Sequence, residues 1–537
     1  MKNSTQQQQR RNMLLNEPIS RVIPKMAIPT IIAFLINSIY SLADTYFVSS
    51  LGTNATAAVS VNSSLDQLIM MCGSMLAVGA NSHIARLLGE GMEKKASQVL
   101  STAFFLAAGL GTLLMIFGIA FMSPMVRLLG ATDTCERYAI DYATYVLLAA
   151  PFMASNFVMN QCLRSEGSAT LSMIGMGFGG ILNCILDPIF IFGMNMGVAG
   201  ASLATAISKF VSFAILVFPY ITKHSLLRLS IRCFHFCKDI ISEIVSVGSS
   251  SMFRSGLAVV AGILLNRMAG EISDPVLAGI GVTTKIMMFP FSIILGFGSG
   301  FQPVAGFNWG AKQYDRVIKS YRFASIVAVI GSAIMALVLI FFTDTVILLF
   351  SEKDAQMQEI GALCIRLQCI ALPIHAWVAV VNMLCAGLGN AKGAFLLATS
   401  RQGSCFIPVL FPLSFFFGAY GLAAAQALAD VLSLVLAIPI AIHTLRKIRA
   451  AESSSTPLVE HQQNSHCKSS GKPYIKILIW FSCFFASSTL TTLLKINGIH
   501  LGGVPTAAIL GVTLWLARFL CKKWDKYMEN RSNNVAN

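Results

Sequence analysis

The segment NCILDPIFIFG, which runs from Asn183 to Gly193, places an amide and a carboxylate inside an otherwise apolar stretch. Asn183 and Asp187 are four residues apart, so a helix presents both side chains on one face. A bare carboxylate is costly in lipid, and ionisable groups inside apolar spans are functional by default. The pair therefore predicts a place where a positive charge binds.

Asp44 and Thr205 are predicted at a similar depth. Asp44 lies eight residues before the glycine that ends its span, Asp187 ten residues before the corresponding glycine, and Thr205 five residues after the glycine that opens its span. At ~1.5 Å per residue, all three fall in the outer half of the bilayer. Asn160 points into the same lobe from the fourth span. The sequence thus predicts one polar cluster, and the candidate cation site comprises Asp44, Asn160, Asn183, Asp187 and Thr205.

Two carboxylates that approach each other in a low dielectric take up a proton or share a cation. The site is therefore expected to bind a proton or a cation, and no metal other than a possible Na⁺ is predicted. The alternative is that these acids lie near hydrated headgroups with a structural role. Pro29, fifteen residues before Asp44, is expected to kink the first span, because it removes a backbone hydrogen bond. Alternatively, Pro29 begins that helix.

The composition indicates a polytopic membrane protein. Of 537 residues, 55% are hydrophobic and 12% are charged, against roughly 25% charged in soluble proteins. The net charge of +15 would suggest nucleic acid in a soluble chain, but here the basic residues sit in particular loops. No nucleic-acid partner is therefore expected. No set of nucleophile and base stands at aqueous depth, so the chain is not expected to be an enzyme.

Apolar runs of about 20 residues predict transmembrane helices. Fourteen such runs lie near 26–48, 57–84, 97–121, 138–161, 169–193, 199–220, 240–266, 277–303, 320–343, 360–385, 393–418, 421–445, 474–494 and 501–521. Basic loops follow the even-numbered spans, for example ARLLGEGMEKK and HTLRKIRA. The positive-inside rule then places both termini in the cytoplasm, in a protein of the cell membrane.

The two halves of the chain resemble each other. Pro151, Asn160 and Gly167 match Pro373, Asn382 and Gly389 at a constant offset of 222 residues, and Gly89 matches Gly310. Because each repeat holds an even number of spans, both halves enter the membrane from the same side, and a substrate path between the lobes is expected. The predicted fold is an all-α polytopic membrane protein, with two pseudo-symmetric six-helix lobes and two extra C-terminal transmembrane helices.

The predicted organisation follows from these spans. It comprises a cytoplasmic segment (1–25), an N-lobe (26–222), a cytoplasmic linker (223–239), a C-lobe (240–446), a second linker (447–473), two additional helices (474–521) and a cytoplasmic tail (522–537). The C-lobe has no carboxylate opposite Asp44, so coupling is expected in the N-lobe. Arg254, Lys285, His375 and Arg401 lie in or near C-lobe spans. For them, snorkelling or pairing is favoured over substrate contact.

Four motifs carry a family resemblance: NSIYSLADTYFVSSLG, NQCLRSEG, LNCILDPIFIFG and GVAGASLATAIS. In order and spacing they resemble the multidrug and toxin extrusion transporters, over roughly residues 15–445. The resemblance implies two six-helix lobes around a central cavity, and export of organic cations and other drugs in exchange for protons or sodium. It also implies the branch whose coupling site is Asp44, Asn160, Asn183, Asp187 and Thr205, with Pro29 as the kinking proline.

The resemblance further implies small organic substrates and contact with membrane lipids, and the protein is expected to be a monomer without a cofactor. Fourteen spans are also found in lipid-linked oligosaccharide flippases of the same superfamily, so flipping of a lipid-linked oligosaccharide or related lipid is the alternative. A channel or membrane enzyme is a third class. The duplication favours transport, although it excludes neither of the others.

Overall fold

A computed structural model describes residues 2–132, 135–222, 224–235, 237–348 and 354–455. These residues are almost entirely helical, and no strand occurs within the described ranges. The spans predicted near 474–494 and 501–521, most of the second linker and the C-terminal tail lie outside the described residues.

The first repeat is preceded by α1 (Lys2–Asn16), and its first span is α2 (Ile19–Ser49). It continues with α3 (Thr53–Gly89), α4 (Glu93–Ala120), α5 (Met122–Leu128), α6 (Glu136–Ser165), α7 (Ala169–Pro188, extended by a π-helical turn Ile189–Gly193) and α8 (Gly197–Ile221). All six predicted spans of this half are present. The short α5 was not predicted, because its seven residues are too few to cross a membrane.

The second repeat consists of α9 (Lys238–Ile272), α10 (Asp274–Gly310), α11 (Tyr314–Leu348), α12 (Ala355–Gly387), α13 (Ala391–Thr399, extended by a π-helical turn Ser400–Ser404) and α14 (Phe406–Ser455). The backbone leaves helical geometry at Gly418, where φ is 54°, and this break divides α14 into the end of one span and the whole of the next. The six predicted spans of the second half are therefore present as well.

The backbone repeats between the halves. Left-handed residues end or open equivalent helices in three pairs: Gly91 with Lys312, Gly167 with Gly389, and Gly197 with Gly418. Helix packing repeats in the same way, because α6 packs on α3, α4 and α8 as α12 packs on α10, α11 and α14. Two lobes of the same design therefore face each other.

Large apolar side chains cover the outside of the bundle. On α11 they recur at helical spacing, with Ile326, Ile330, Ile334, Leu337 and Phe341 between 55% and 80% exposed. A continuous apolar stripe of this kind is unfavourable in water and favourable against lipid acyl chains. The outer surface is thus that of an integral membrane protein.

The lobes meet closely at one end of the bundle, where α3 and α10 end; we call this end the basic face. A Cβ built on Gly89 would lie 2.1 Å from the carbonyl oxygen of Phe307, and a Cβ on Gly310 would lie 2.0 Å from that of Arg86. No side chain fits at either position. The two glycines that the repeat aligns thus hold the two lobes together reciprocally.

Polar contacts reinforce this closure. Arg86 on α3 forms an ion pair with Glu243 on α9, at 2.6 Å, and His83 lies 3.2 Å from the same carboxylate. The Ser82 hydroxyl donates to the carbonyl oxygen of Ala386 in the second lobe. These links join the lobes across the basic face.

The N-terminal helix also touches both lobes at the basic face. The carbonyl oxygen of Leu14 accepts hydrogen bonds from Asn308 and Arg316 of the second lobe, at 3.3 Å and 3.2–3.3 Å. The Leu14 side chain itself lies against Gly167 of the first lobe. We call this contact the α1 clasp.

Glu166, just past the end of α6, binds the segment of chain that connects the two lobes. Its carboxylate accepts hydrogen bonds from the Ser225 hydroxyl at 2.5 Å and from the Leu226 amide at 2.8 Å. Burial raises the pKa of Glu166, and these hydrogen bonds offset only part of that effect. The start of the predicted inter-lobe linker is therefore fixed to the first lobe.

Candidate cation site in the first lobe

Three helices of the first lobe each bring a pair of polar side chains, four residues apart and therefore on one helix face, to a common region. The pairs are Tyr40 and Asp44 on α2, Asn183 and Asp187 on α7, and Thr205 and Lys209 on α8. Because α2 and α8 both pack on α7, the pairs converge near the end of the lobe opposite the basic face.

Asn183 links the second and third pairs. Its amide nitrogen donates to the Thr205 hydroxyl at 3.2 Å and lies 3.4 Å from Oδ1 of Asp187. Asp187 is fully buried, and Asn183 is 2% exposed. Of the residues predicted from sequence, the structure thus brings Asn183, Asp187 and Thr205 into direct contact.

Glycines on α7 allow its neighbours to approach. A Cβ on Gly180 would lie 3.0 Å from the Ile36 side chain of α2, and a Cβ on Gly179 would lie 2.9 Å from Ser212 on α8. The run GMGFGG, which includes both glycines, therefore acts through close helix packing. Directly after Asp187, Pro188 leads into the π-helical turn, an irregularity that is frequent at functional sites.

Asp44 completes the group from α2. Its Oδ1 is buried and receives no hydrogen bond from the residues that the structure describes, and the same holds for Oδ2 of Asp187 and Oδ1 of Asn183. The carboxylates of Asp44 and Asp187 are close enough for their charges to repel each other. Buried acceptor oxygens without donors, next to like charges, are the arrangement that a bound cation or proton stabilises.

The structure adds two groups that the sequence analysis missed. Asp66 on α3 interacts electrostatically with Asp44, and its Oδ1 is also buried without a donor among the described residues. Tyr142 on α6 is 3% exposed, and lies within electrostatic range of Asp66, Asp44 and Asp187. An acid inside the predicted span 57–84 was a sufficient signal for Asp66.

Lys209 and its partner Tyr40 were also missed, and Lys209 brings a positive charge to the site. Its ammonium donates to the Tyr40 hydroxyl at 2.9 Å and lies 4.7 Å from the centroid of that ring. It also attracts the carboxylates of Asp44 and Asp66. Its position inside the predicted span 199–220, one turn after Thr205, was the available signal.

Asn160 is placed elsewhere. Its amide oxygen accepts a hydrogen bond from Arg164, and its nitrogen donates to the carbonyl oxygen of Ser172 at 3.2 Å. The structure does not hydrogen-bond Asn160 to the other predicted site residues. One turn earlier on α6, Asn156 donates to the carbonyl oxygen of Lys209 at 2.9 Å, beside the site.

Pro29 lies inside α2, eleven residues before Tyr40. The helix begins ten residues earlier, at Ile19, so the alternative that Pro29 begins it is wrong. Because proline lacks an amide proton, the backbone hydrogen bond to Lys25 is absent, and α2 is weakened there. Bending at Pro29 stays a prediction.

Two lobes of the same design, each of six membrane-spanning segments, with buried ionisable groups between the segments of one lobe, define a membrane transporter. The MatE family model matches residues 29–189 and 251–412, once in each repeat, and the chain belongs to this family of transporters, which are not enzymes.

Relatives and solved structures agree with this assignment. The chain is 27% identical to the multidrug export protein MepA of Staphylococcus saprophyticus, over 77% of this chain and 91% of the relative. It is 28% identical to MepA of Staphylococcus aureus strain MSSA476, over 81% and 96%. Its fold is similar to an outward-facing multidrug resistance MATE transporter of the MOP superfamily, with a TM-score of 0.77 and 24% identity over 82% of this chain and 98% of that one.

Proposed function

We propose that this protein exports drugs and other organic compounds, many of them cationic, across the cell membrane in exchange for H⁺ or Na⁺ bound in the first lobe. The observation that carries the proposal is the set of buried, donor-free oxygens on Asp44, Asp187 and Asn183. The names of the MepA relatives support drugs as substrates.

The cycle follows from charge and lobe packing. With the basic face closed and facing the cytoplasm, as the charge pattern predicts, the site receives a cation from outside. Binding of one H⁺ or Na⁺ cancels one of the two negative charges of Asp44 and Asp187, which removes their mutual repulsion and lets α2 bend near Pro29. The altered cavity releases the substrate, and the loaded protein reopens at the basic face. The exchange is obligatory because the empty site keeps its excess negative charge in a low dielectric.

A proton is the coupling ion that the site favours. The Lys209 ammonium already occupies a position beside Asp44 and Asp66. A second cation such as Na⁺ must bind against this fixed positive charge and find several oxygen ligands. A proton needs only one carboxylate oxygen and adds no ion to the cavity.

We expect Lys209→Met to change the driving ion for export from H⁺ to Na⁺. Without the ammonium, the acids have more uncompensated negative charge, so Na⁺ should stimulate export more than about tenfold over choline at constant pH, whereas the parent protein should respond mainly to a pH gradient. Dye efflux from proteoliposomes, driven separately by pH and sodium gradients, measures this. Lys209→Arg keeps the charge and is the matched control. An unchanged ion profile in Lys209→Met would contradict this role for Lys209.

The decisive experiment for the overall function uses the same vesicles. Efflux of ethidium should require an imposed gradient of H⁺ or Na⁺ and collapse when both are dissipated. Efflux that persists without either gradient refutes antiport. Translocation of a lipid-linked oligosaccharide by vesicles that do not move ethidium would instead favour the flippase alternative.

A further inference from the structure

A second group of ionisable side chains lies inside the other lobe. It draws on five spans: Arg254 on α9, Phe291 on α10, His375 on α12, Arg401 in the π-helical turn after α13, and Asp430 on α14. Arg254 and Phe291 lie near the midpoints of their helices, so the group is at membrane depth. We call it the C-lobe basic cluster.

Arg401 and Asp430 form its centre. Nε of Arg401 donates to Oδ1 of Asp430 at 2.7 Å, and the guanidinium carbon lies 4.2 Å above the centroid of the Phe291 ring. His375 Nδ1 is 3.9 Å from the same carboxylate oxygen. One terminal nitrogen of Arg401 is buried and has no acceptor among the described residues. A planar guanidinium with a free edge is suited to a second, incoming anion.

Arg254 adds a positive charge that no carboxylate balances. Its guanidinium donates to the Ser251 hydroxyl at 3.2 Å, and within the described ranges it forms no ion pair with an acid. Both Arg254 and Arg401 are close enough to His375 to act on it electrostatically. Both guanidiniums thus act on His375, whereas Asp430 pairs with Arg401 and not with Arg254 among the described residues. An unbalanced positive charge at this depth is costly unless an anion arrives.

These contacts refine the sequence analysis. Arg401 is paired, which is one of the two roles expected for it, and its partner is Asp430. Arg401 is only 15% exposed and His375 only 10%, so neither reaches the membrane surface by snorkelling. Lys285, by contrast, is exposed.

We infer that the C-lobe basic cluster binds the anionic group of a transported compound, such as a carboxylate or sulfonate attached to an aromatic ring. Arg254 and the free edge of Arg401 bind the anion, and Phe291 packs against the ring. The inference rests on the proposed export function and narrows its substrate class: amphiphilic zwitterions and anions are carried in addition to simple cations. A zwitterion matches the protein especially well, because the first lobe is acidic where the second is basic.

A matched dye pair tests the inference. Rhodamine 110 has a free carboxylate, whereas rhodamine 123 is its methyl ester and lacks that charge. Binding to the purified full-length protein in nanodiscs, followed by fluorescence anisotropy, should be at least about tenfold tighter for the acid, a ratio equivalent to ~1.4 kcal/mol. Arg254→Gln should remove this preference, because the variant binds the acid more weakly while its affinity for the ester is unchanged.

Arg267→Gln, an exposed position on the same helix, is the control and should keep the preference. If Arg254→Gln does not fold, Arg254→Lys serves instead. Lysine keeps the positive charge but lacks the planar guanidinium, so the affinity for the acid should fall about threefold or more. Equal affinities of both dyes for the parent protein, or equal losses of both in the variant, overturn the inference. If the inference fails but the ester is still exported in response to a gradient, the export function stands. If neither dye is exported, the export function itself is rejected.

Discussion

Replacement of Asp187 by asparagine should reduce gradient-driven export to the level of empty vesicles, a loss of more than about tenfold. The amide has nearly the shape of the carboxylate and can still contact Asn183, so the fold should persist. It cannot take up a proton, and it carries no charge to hold a cation. Efflux from proteoliposomes measures the loss, and the melting temperature confirms that the variant is folded.

The control for this substitution is Asp141→Asn, because Asp141 lies on α6 with its side chain exposed. That variant should transport like the parent. Asp44→Asn should behave like Asp187→Asn, since the two carboxylates are within electrostatic range of each other. Full coupled transport by either site variant would refute the assignment of the cation site.

Gly310→Ala should disable closure at the basic face. The new methyl group would lie 2.0 Å from the carbonyl oxygen of Arg86, a backbone atom that cannot rotate away. The lobes must separate there, at a cost at or above the ~1–3 kcal/mol typical of overpacking. Export should fall severely, and amide hydrogen exchange at the end of α3, from 82 to 89, should accelerate, because its contacts with the second lobe are lost.

Gly109→Ala is the matched control, because a Cβ on Gly109 meets no atom within 4 Å. Alanine stabilises a helix relative to glycine by roughly 0.5–1 kcal/mol, so this variant should be as stable as the parent or slightly more stable. Unchanged transport and unchanged exchange in Gly310→Ala would show that the lobes do not need this contact.

Local patterns were sufficient to predict the spans and part of the site. Apolar runs set the twelve spans of the two lobes, because a helix must satisfy its own backbone in lipid. The four-residue spacing of Asn183 and Asp187 placed them on one face, where the structure has them. The alignment of Gly89 with Gly310 came from the repeat alone, although their mutual contact did not.

The remaining site residues depend on how helices rotate against each other. Asn156 and Asn160 differ by one turn on α6, and no spacing rule tells which turn faces α8. Asp66 could be recognised as an acid inside the next span, but its proximity to Asp44, like that of Lys209 from the distant span α8, depends on how these helices pack in the lobe. The pairing of Arg401 with Asp430 likewise depends on how α14 packs against the π-helical turn that carries Arg401.

The α1 clasp has a practical consequence for work with this protein. Leu14 is held by Asn308 and Arg316 on one side and rests on Gly167 on the other. Any movement that separates the lobes at this end must break the contacts of α1 with one of them. A purification tag or fluorescent fusion at residue 1 is therefore attached close to the α1 clasp and can disturb it. Fusions for assay should be made elsewhere.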